Sequence, residues 1–174
     1  MITKAIMNDK LLNDLKDAIK KNRKYVGYNI YSVKDGMIAK GNNVESRALN
    51  EYIIGRQLFR NNISVPEMYR FISPYLLDPK AEDPLLKEWY ILMQEIKGVG
   101  LLNVGGEDRK IANKQYVSEL EKISQLGIVA EDVVHNVLFD EKQKKIYFTD
   151  FEFWKKGTPE EIEKTYAWLK KYRK

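Results

Sequence analysis

Residues 127–152 read "GIVAEDVVHNVLFDEKQKKIYFTDFE". An apolar approach, Ile128 and Val129, enters a polar turn carrying Glu131, Asp132, the sole histidine (His135) and Asn136. Val137, Leu138 and Phe139 predict a short strand, "DEKQKK" a charged turn, and Ile146, Tyr147 and Phe148 a second strand running into Asp150-Phe151-Glu152. The pattern is a β-hairpin whose open end gathers Glu131, Asp132, Asn136 and Asp150. An acid placed directly after "IYF" at a strand end is costly unless it is paired or bound to a metal.

Working outward, Thr158-Pro159 followed by acids predicts a helix over 159–171, with threonine as N-cap and proline at the first position. On the other side, 109–125 has helical spacing, and "NVGGED" before it reads as a loop. "KEWYILMQEI" predicts a buried strand, broken by "KGVG". "SPYLLDPKAEDPL" holds three of the five prolines and reads as a loop. "ISVPEMYRFI" continues as an extended segment around Pro66. "VESRALNEYIIGRQLFRNN" predicts an amphipathic helix with Val44, Ala48, Leu49, Tyr52, Ile53 and Phe59 inward, ending at Asn61-Asn62. "KYVGYNIYSVKDGMIAKGN" reads as a hairpin turning at Asp35-Gly36. Residues 8–22 form a leading helix with Leu11, Leu12, Leu15, Ala18 and Ile19 on one stripe.

At 174 residues, with 44% apolar and 32% charged residues, the chain has room for one core or for two small lobes sharing a cleft. No apolar run approaches the roughly 20 residues that span a bilayer, and the start lacks the apolar core of a secretion signal. The absence of cysteine excludes disulfides and thiolate metal sites, and one histidine does not anchor zinc. A cytoplasmic protein with no membrane partner is the expectation. The net charge of +5 suits a nucleotide, an RNA or an acidic partner, but much of it lies in "KDAIKKNRK" and the terminal "KKYRK", which read as solvated faces. No basic stretch with interleaved aromatics marks an RNA-binding surface.

Three stretches in order resemble one family. "ALNEYIIGRQLFRNNISVPEMY" is similar to the regulatory helix and following strand of protein-kinase-like folds, and "ILMQEIKGVGL" to their hinge strand. "LGIV…D…NVLFD…KIYFTDFE" is similar to their catalytic loop, hairpin and metal-binding aspartate. In style the chain resembles the small atypical branch, the RIO kinases and the kinase of the KEOPS tRNA-modification complex. The implied fold is α+β and two-lobed: a β-rich N-terminal lobe over 1–97 and a reduced C-terminal lobe over 98–174.

The resemblance implies ATP and Mg²⁺ as cofactors and a serine/threonine protein acceptor, with a small-molecule hydroxyl as another candidate. Lys40 would contact the phosphates and Glu51 would hold it, with Glu45 a rival partner. Asn136 and Asp150 would bind the metal. Gly27 would belong to the phosphate-covering loop. Met93 would be the gatekeeper, with Gln94, Glu95 and Ile96 offering backbone groups to adenine. The base is Asp132 when the motif is aligned from the apolar approach, and Glu131 when counted back five residues from Asn136. Ala130 stands where the family has histidine, and Glu152 where it often has glycine. Only Gly27 remains of a glycine-rich loop. The 24 residues after Asp150 leave no room for an activation segment or a full peptide-docking lobe.

Each assignment has a plainer counterpart. Lys40 reads equally as an edge-strand lysine, Glu51 as a solvated helix residue, and Asn136 as a loop cap. His135 reads as a loop-packing or capping residue, and Phe148, Phe151, Phe153 and Trp154 as core. Two function classes besides an enzyme follow: a pseudokinase acting as a binding or scaffold module, and an accessory subunit of an RNA-modification assembly.

Overall fold

In the computed structural model, which describes residues 2–21, 29–34, 36–80, 82–83 and 86–172, the strands form a four-stranded, a three-stranded and a two-stranded sheet. The chain divides into two compact units: Met1–Tyr52 with Met68–Glu95, and Ile53–Glu67 with Ile96–Lys174. The division is therefore not a single cut near residue 97. Residues 53–67 belong with the second unit because Ser64 is bonded there on both sides. Its N–H donates to Glu119 and its carbonyl accepts from Phe148 N–H.

In the first unit, β1 (Ile30–Ser32), β2 (Met37–Asn42), β3 (Met68–Ile72) and β4 (Trp89–Gln94) form an antiparallel sheet in the order β1-β2-β4-β3. The β1–β2 turn closes through Val33 and Met37, with Gly36 at φ +73°, where glycine has no Cβ penalty. Period-two alternation sends Tyr31, Ala39, Tyr90 and Leu92 to one face. There they bury with Leu15, Ala18 and Ile19 of α1 (Ile2–Lys20). The leading stripe predicted from sequence is the one that packs. The expected proline loop contains a short helix, α3 (Pro74–Leu77), because Pro74 sits at its first turn, where proline's fixed φ favours a helix and its missing N–H costs nothing.

Helix α2 (Glu45–Arg60) ends where the sequence predicts, with Asn62 in the left-handed region at φ 57°. Its inward face is rotated from the expected one. Ala48, Glu51, Ile54 and Leu58 are buried, whereas Leu49, Ile53 and Phe59 are exposed. The buried stripe runs at steps of three and four through a glutamate, which hydrophobic periodicity alone does not select.

The second unit is built on α4 (Gly106–Gln125) and the sheet β5-β7-β8, with β5 at Val99–Gly100, β7 at Val137–Asp140 and β8 at Lys145–Phe148. Helix α4 begins three residues before the expected 109. Gly106 takes φ +57° at its start, and Arg109 bonds the carbonyls of Leu101 and Val104. The predicted hairpin is present in the register Val137↔Phe148 to Asp140↔Lys145. Its turn is tied by Asp140, whose carboxylate accepts from the N–H groups of Lys142 and Gln143. The Gln115 side chain bonds Lys144 and Ile146 from α4. A second ladder joins β6 (Ile128–Val129) to β9 (Lys155–Lys156).

Helix α5 (Pro159–Tyr166) continues as a 3-10 helix to Tyr172. Its Thr158 cap is reciprocal, with Glu161 reaching back to the Thr158 N–H. Glu161 is held below the usual carboxylate range by its hydrogen bond to Lys155. The Tyr166 hydroxyl donates to the Ile128 carbonyl, fastening this C-terminal segment beneath β6.

Candidate functional site

Lys40 lies on β2, and β2 pairs on both sides, with β1 through Ile30↔Lys40 and with β4 through Lys40↔Ile91. It is therefore not an edge-strand lysine. Alternation places it on the sheet face opposite Ala39 and the α1 core. Its ammonium donates to both carboxylate oxygens of Glu51, at 3.0 and 2.8 Å. Glu51 is 1% exposed, so the solvated reading of this glutamate fails. Glu45, the rival, is exposed in the first turn of α2. The aromatic stack Tyr52–Phe71–Trp89 completes this face, with ring centroids 5.9 and 5.5 Å apart.

In the same unit, Met93 is buried between Ile38 and Met68 in neighbouring strands, and Gln94 stands opposite Met37. The Glu95 N–H donates to the Gly36 carbonyl at 2.7 Å, so that donor is committed within the sheet. Ile96, which is counted with the second unit, lies outside any strand. Gly27 lies outside the described residues.

In the second unit, Asn136 immediately precedes β7. Its carbonyl accepts from Thr149 N–H at 2.8 Å and from the Thr149 hydroxyl at 3.2 Å, which extends the hairpin ladder by one pair. Asp150 follows at once, half-buried and at φ 61°. The hairpin register thus places Asn136 and Asp150 at the same end. The Asn136 amide nitrogen donates to the Asp132 carbonyl at 3.1 Å, which leaves its side-chain oxygen as the acceptor end. Asp132 itself has φ 48° and an exposed side chain. Glu131 is also exposed, while its carbonyl accepts from the Trp154 indole N–H at 2.9 Å. His135 is exposed and is not a packing residue. Of the aromatic run, Phe148, Phe151 and Trp154 are fully buried, but Phe153 is exposed. Trp154 meets Phe151 and Phe148 edge-on, at 4.9 and 5.9 Å.

The donor chemistry fits magnesium. Among the described residues no three histidine, cysteine, aspartate or glutamate side chains form a group that could cage an ion. Magnesium is commonly held by one or two carboxylates, with its other positions left to water and substrate phosphate. One carboxylate and one amide oxygen at a common hairpin end match that requirement. Glu119, Trp154 and Thr149 escaped the sequence reading as contributors. No periodicity marks a residue whose role is one hydrogen bond to a distant backbone.

No protein-family model and no curated protein matches this sequence. Among solved structures, the kinase PK-1 of the Cydia pomonella granulovirus is similar, at 18% sequence identity and a TM-score of 0.50. The likeness covers 76% of this chain and 46% of that one, so this chain spans less than half of that kinase's length. Among the described residues no helix is long and apolar enough to cross a membrane. By that structural likeness, the chain has a kinase-like fold.

Proposed function

We propose that this protein is an ATP- and magnesium-dependent phosphotransferase of the small atypical kinase branch, acting on a serine or threonine hydroxyl of a protein. The observation that carries the reading is the buried Glu51 carboxylate holding the Lys40 ammonium with both oxygens. A buried ion pair is a poor device for stability, since apolar residues of like volume serve as well or better. Its value is a lysine fixed in orientation for phosphate oxygens.

Asn136 and Asp150 are the proposed magnesium ligands. Bound there, the ion would supply positive charge against the phosphate oxygens. Asp132 is the proposed base for the acceptor hydroxyl, in preference to Glu131. Its carbonyl is tied to the Asn136 amide, so base and metal ligand share one short loop. Met93 shapes the adenine side, with Gln94 and Ile96 as backbone contacts. A nucleotide-binding or scaffold module without catalysis is the second reading. It is favoured by the spacing of Asp132 and Asn136, one residue shorter than in the family.

A thermal-shift titration with ATP and Mg²⁺ on the wild type and Asp150→Asn tests the proposal. Ligand at 100 times its Kd adds about 2.7 kcal/mol. For a chain of this size that raises Tm by roughly 5–10 °C. The expected result is a magnesium-dependent rise in the wild type that Asp150→Asn abolishes. No rise at millimolar ATP overturns the proposal.

A further inference from the structure

We infer that Trp154 is a positioning residue that sets the 131–136 loop against Asp150 through its indole N–H. The catalytic half of this inference rests on the phosphotransferase reading above; the structural half does not.

The loop from Glu131 to Asn136 connects β6 to β7. Glu131, Asp132, Val134 and His135 in it are exposed, so burial does little to fix its shape. Both of its ends are instead held by the segment that contains Asp150. At the far end, Thr149 gives its N–H and hydroxyl to the Asn136 carbonyl. At the near end, the Trp154 indole gives its N–H to the Glu131 carbonyl at 2.9 Å. The two donors stand one residue before Asp150 and four after it. Any movement of the 149–154 segment therefore moves both ends of the loop.

At the near end the donor is Trp154. Ala130, buried beside the loop, has no side-chain donor. The β6–β9 ladder ends with Val129 opposite Lys155, which brings residue 154 alongside residue 130. The indole is fully buried, and its ring is fixed edge-on by Phe148 and Phe151. A buried indole N–H needs an acceptor. Here the acceptor is the carbonyl of the residue just before Asp132.

The test is hydrogen exchange at the Asn136 and Thr149 amides in Trp154→Phe, which keeps a ring in the aromatic cluster and removes the donor. Tyr147→Phe is the control; it removes one hydroxyl hydrogen bond, to Gln143, at the other end of the hairpin. We expect exchange at both amides to quicken about tenfold in Trp154→Phe relative to the buried amides of α4, as loss of one hydrogen bond implies, and to stay unchanged in Tyr147→Phe. Phosphoryl transfer should lose at least tenfold in kcat with the KM for ATP held. Unchanged loop exchange, or exchange that rises equally in α4, overturns the inference. So does an unchanged kcat in Trp154→Phe where the wild type transfers phosphate. A wild type that neither binds ATP nor transfers phosphate sinks the phosphotransferase reading alone, and loop exchange still decides whether Trp154 sets the loop. If Trp154→Phe fails to fold, site-specific replacement of Trp154 by benzothienylalanine keeps the bicyclic shape and deletes the same N–H.

Discussion

Replacing Lys40 with methionine would take the ammonium away from a carboxylate that is 1% exposed. At 2.8 Å and an effective dielectric of 20, the direct attraction lost is about 6 kcal/mol. Part of it is offset because the lysine no longer has to leave water. Its side chain is 20% exposed in the folded protein, so that saving is incomplete. Breaking such a pair from one side generally costs about 3–5 kcal/mol. The open lysine end argues for the lower figure, so about 3 kcal/mol is expected. At roughly 2–4 °C per kcal/mol this lowers Tm by about 6–12 °C. Lys40→Met/Glu51→Met should recover most of that loss, because two apolar side chains of similar volume leave no charge in the interior. Denaturant unfolding of the wild type, both single variants and the double closes the cycle. A single-variant cost below about 1 kcal/mol, the range of a surface pair, would refute the reasoning. A double variant no more stable than Lys40→Met would do the same.

Two other perturbations have definite outcomes. Gly98→Ala places a Cβ 2.6 Å from the Phe139 carbonyl oxygen and should cost about 1–3 kcal/mol in urea unfolding. Gly100→Ala meets nothing closer than the Asn103 amide at 3.7 Å and should unfold within about 0.5 kcal/mol of the wild type. Burial pushes the Tyr116 hydroxyl up to about 12 from an ordinary 10. A group raised on folding stabilises fully below its unfolded value, so this contribution is present below pH 10 and is lost between pH 10 and 12. Unfolding midpoints measured across that window should fall less steeply in Tyr116→Phe; an equally steep fall would show that Tyr116 does not titrate late.

The parts of the fold legible in the sequence are those where local chemistry and tertiary packing agree. The 137–148 hairpin announces itself by two apolar runs around a charged turn, and the last helix by Thr158-Pro159 with acids behind it. The Leu15–Ala18–Ile19 stripe is apolar without interruption. What the sequence concealed lies where a polar group is buried for a partner elsewhere in the chain. The phase of α2 is hidden because Leu49, Ile53 and Phe59 weigh more on a hydrophobic count than Glu51, which is buried against a lysine in β2. The two-residue strands β6 and β9 are too short to show a period. Lys40 and Glu51 were nameable from sequence only through the family resemblance. Their bidentate contact, like the indole bond of Trp154, belongs to the folded chain.

Asp132 and Asp150 both adopt left-handed backbone angles, at φ 48° and 61°. Glycine relaxes fully there, while aspartate is tolerated at a penalty on the order of 1 kcal/mol. Stability alone therefore favours glycine at both positions, and the proposed roles of the two carboxylates oppose it. Across a lineage, these two sites then act as a record of use. On the proposed roles, relatives that use the carboxylates are expected to keep a slightly strained loop, and relatives released from that task to carry glycine at 132 and 150.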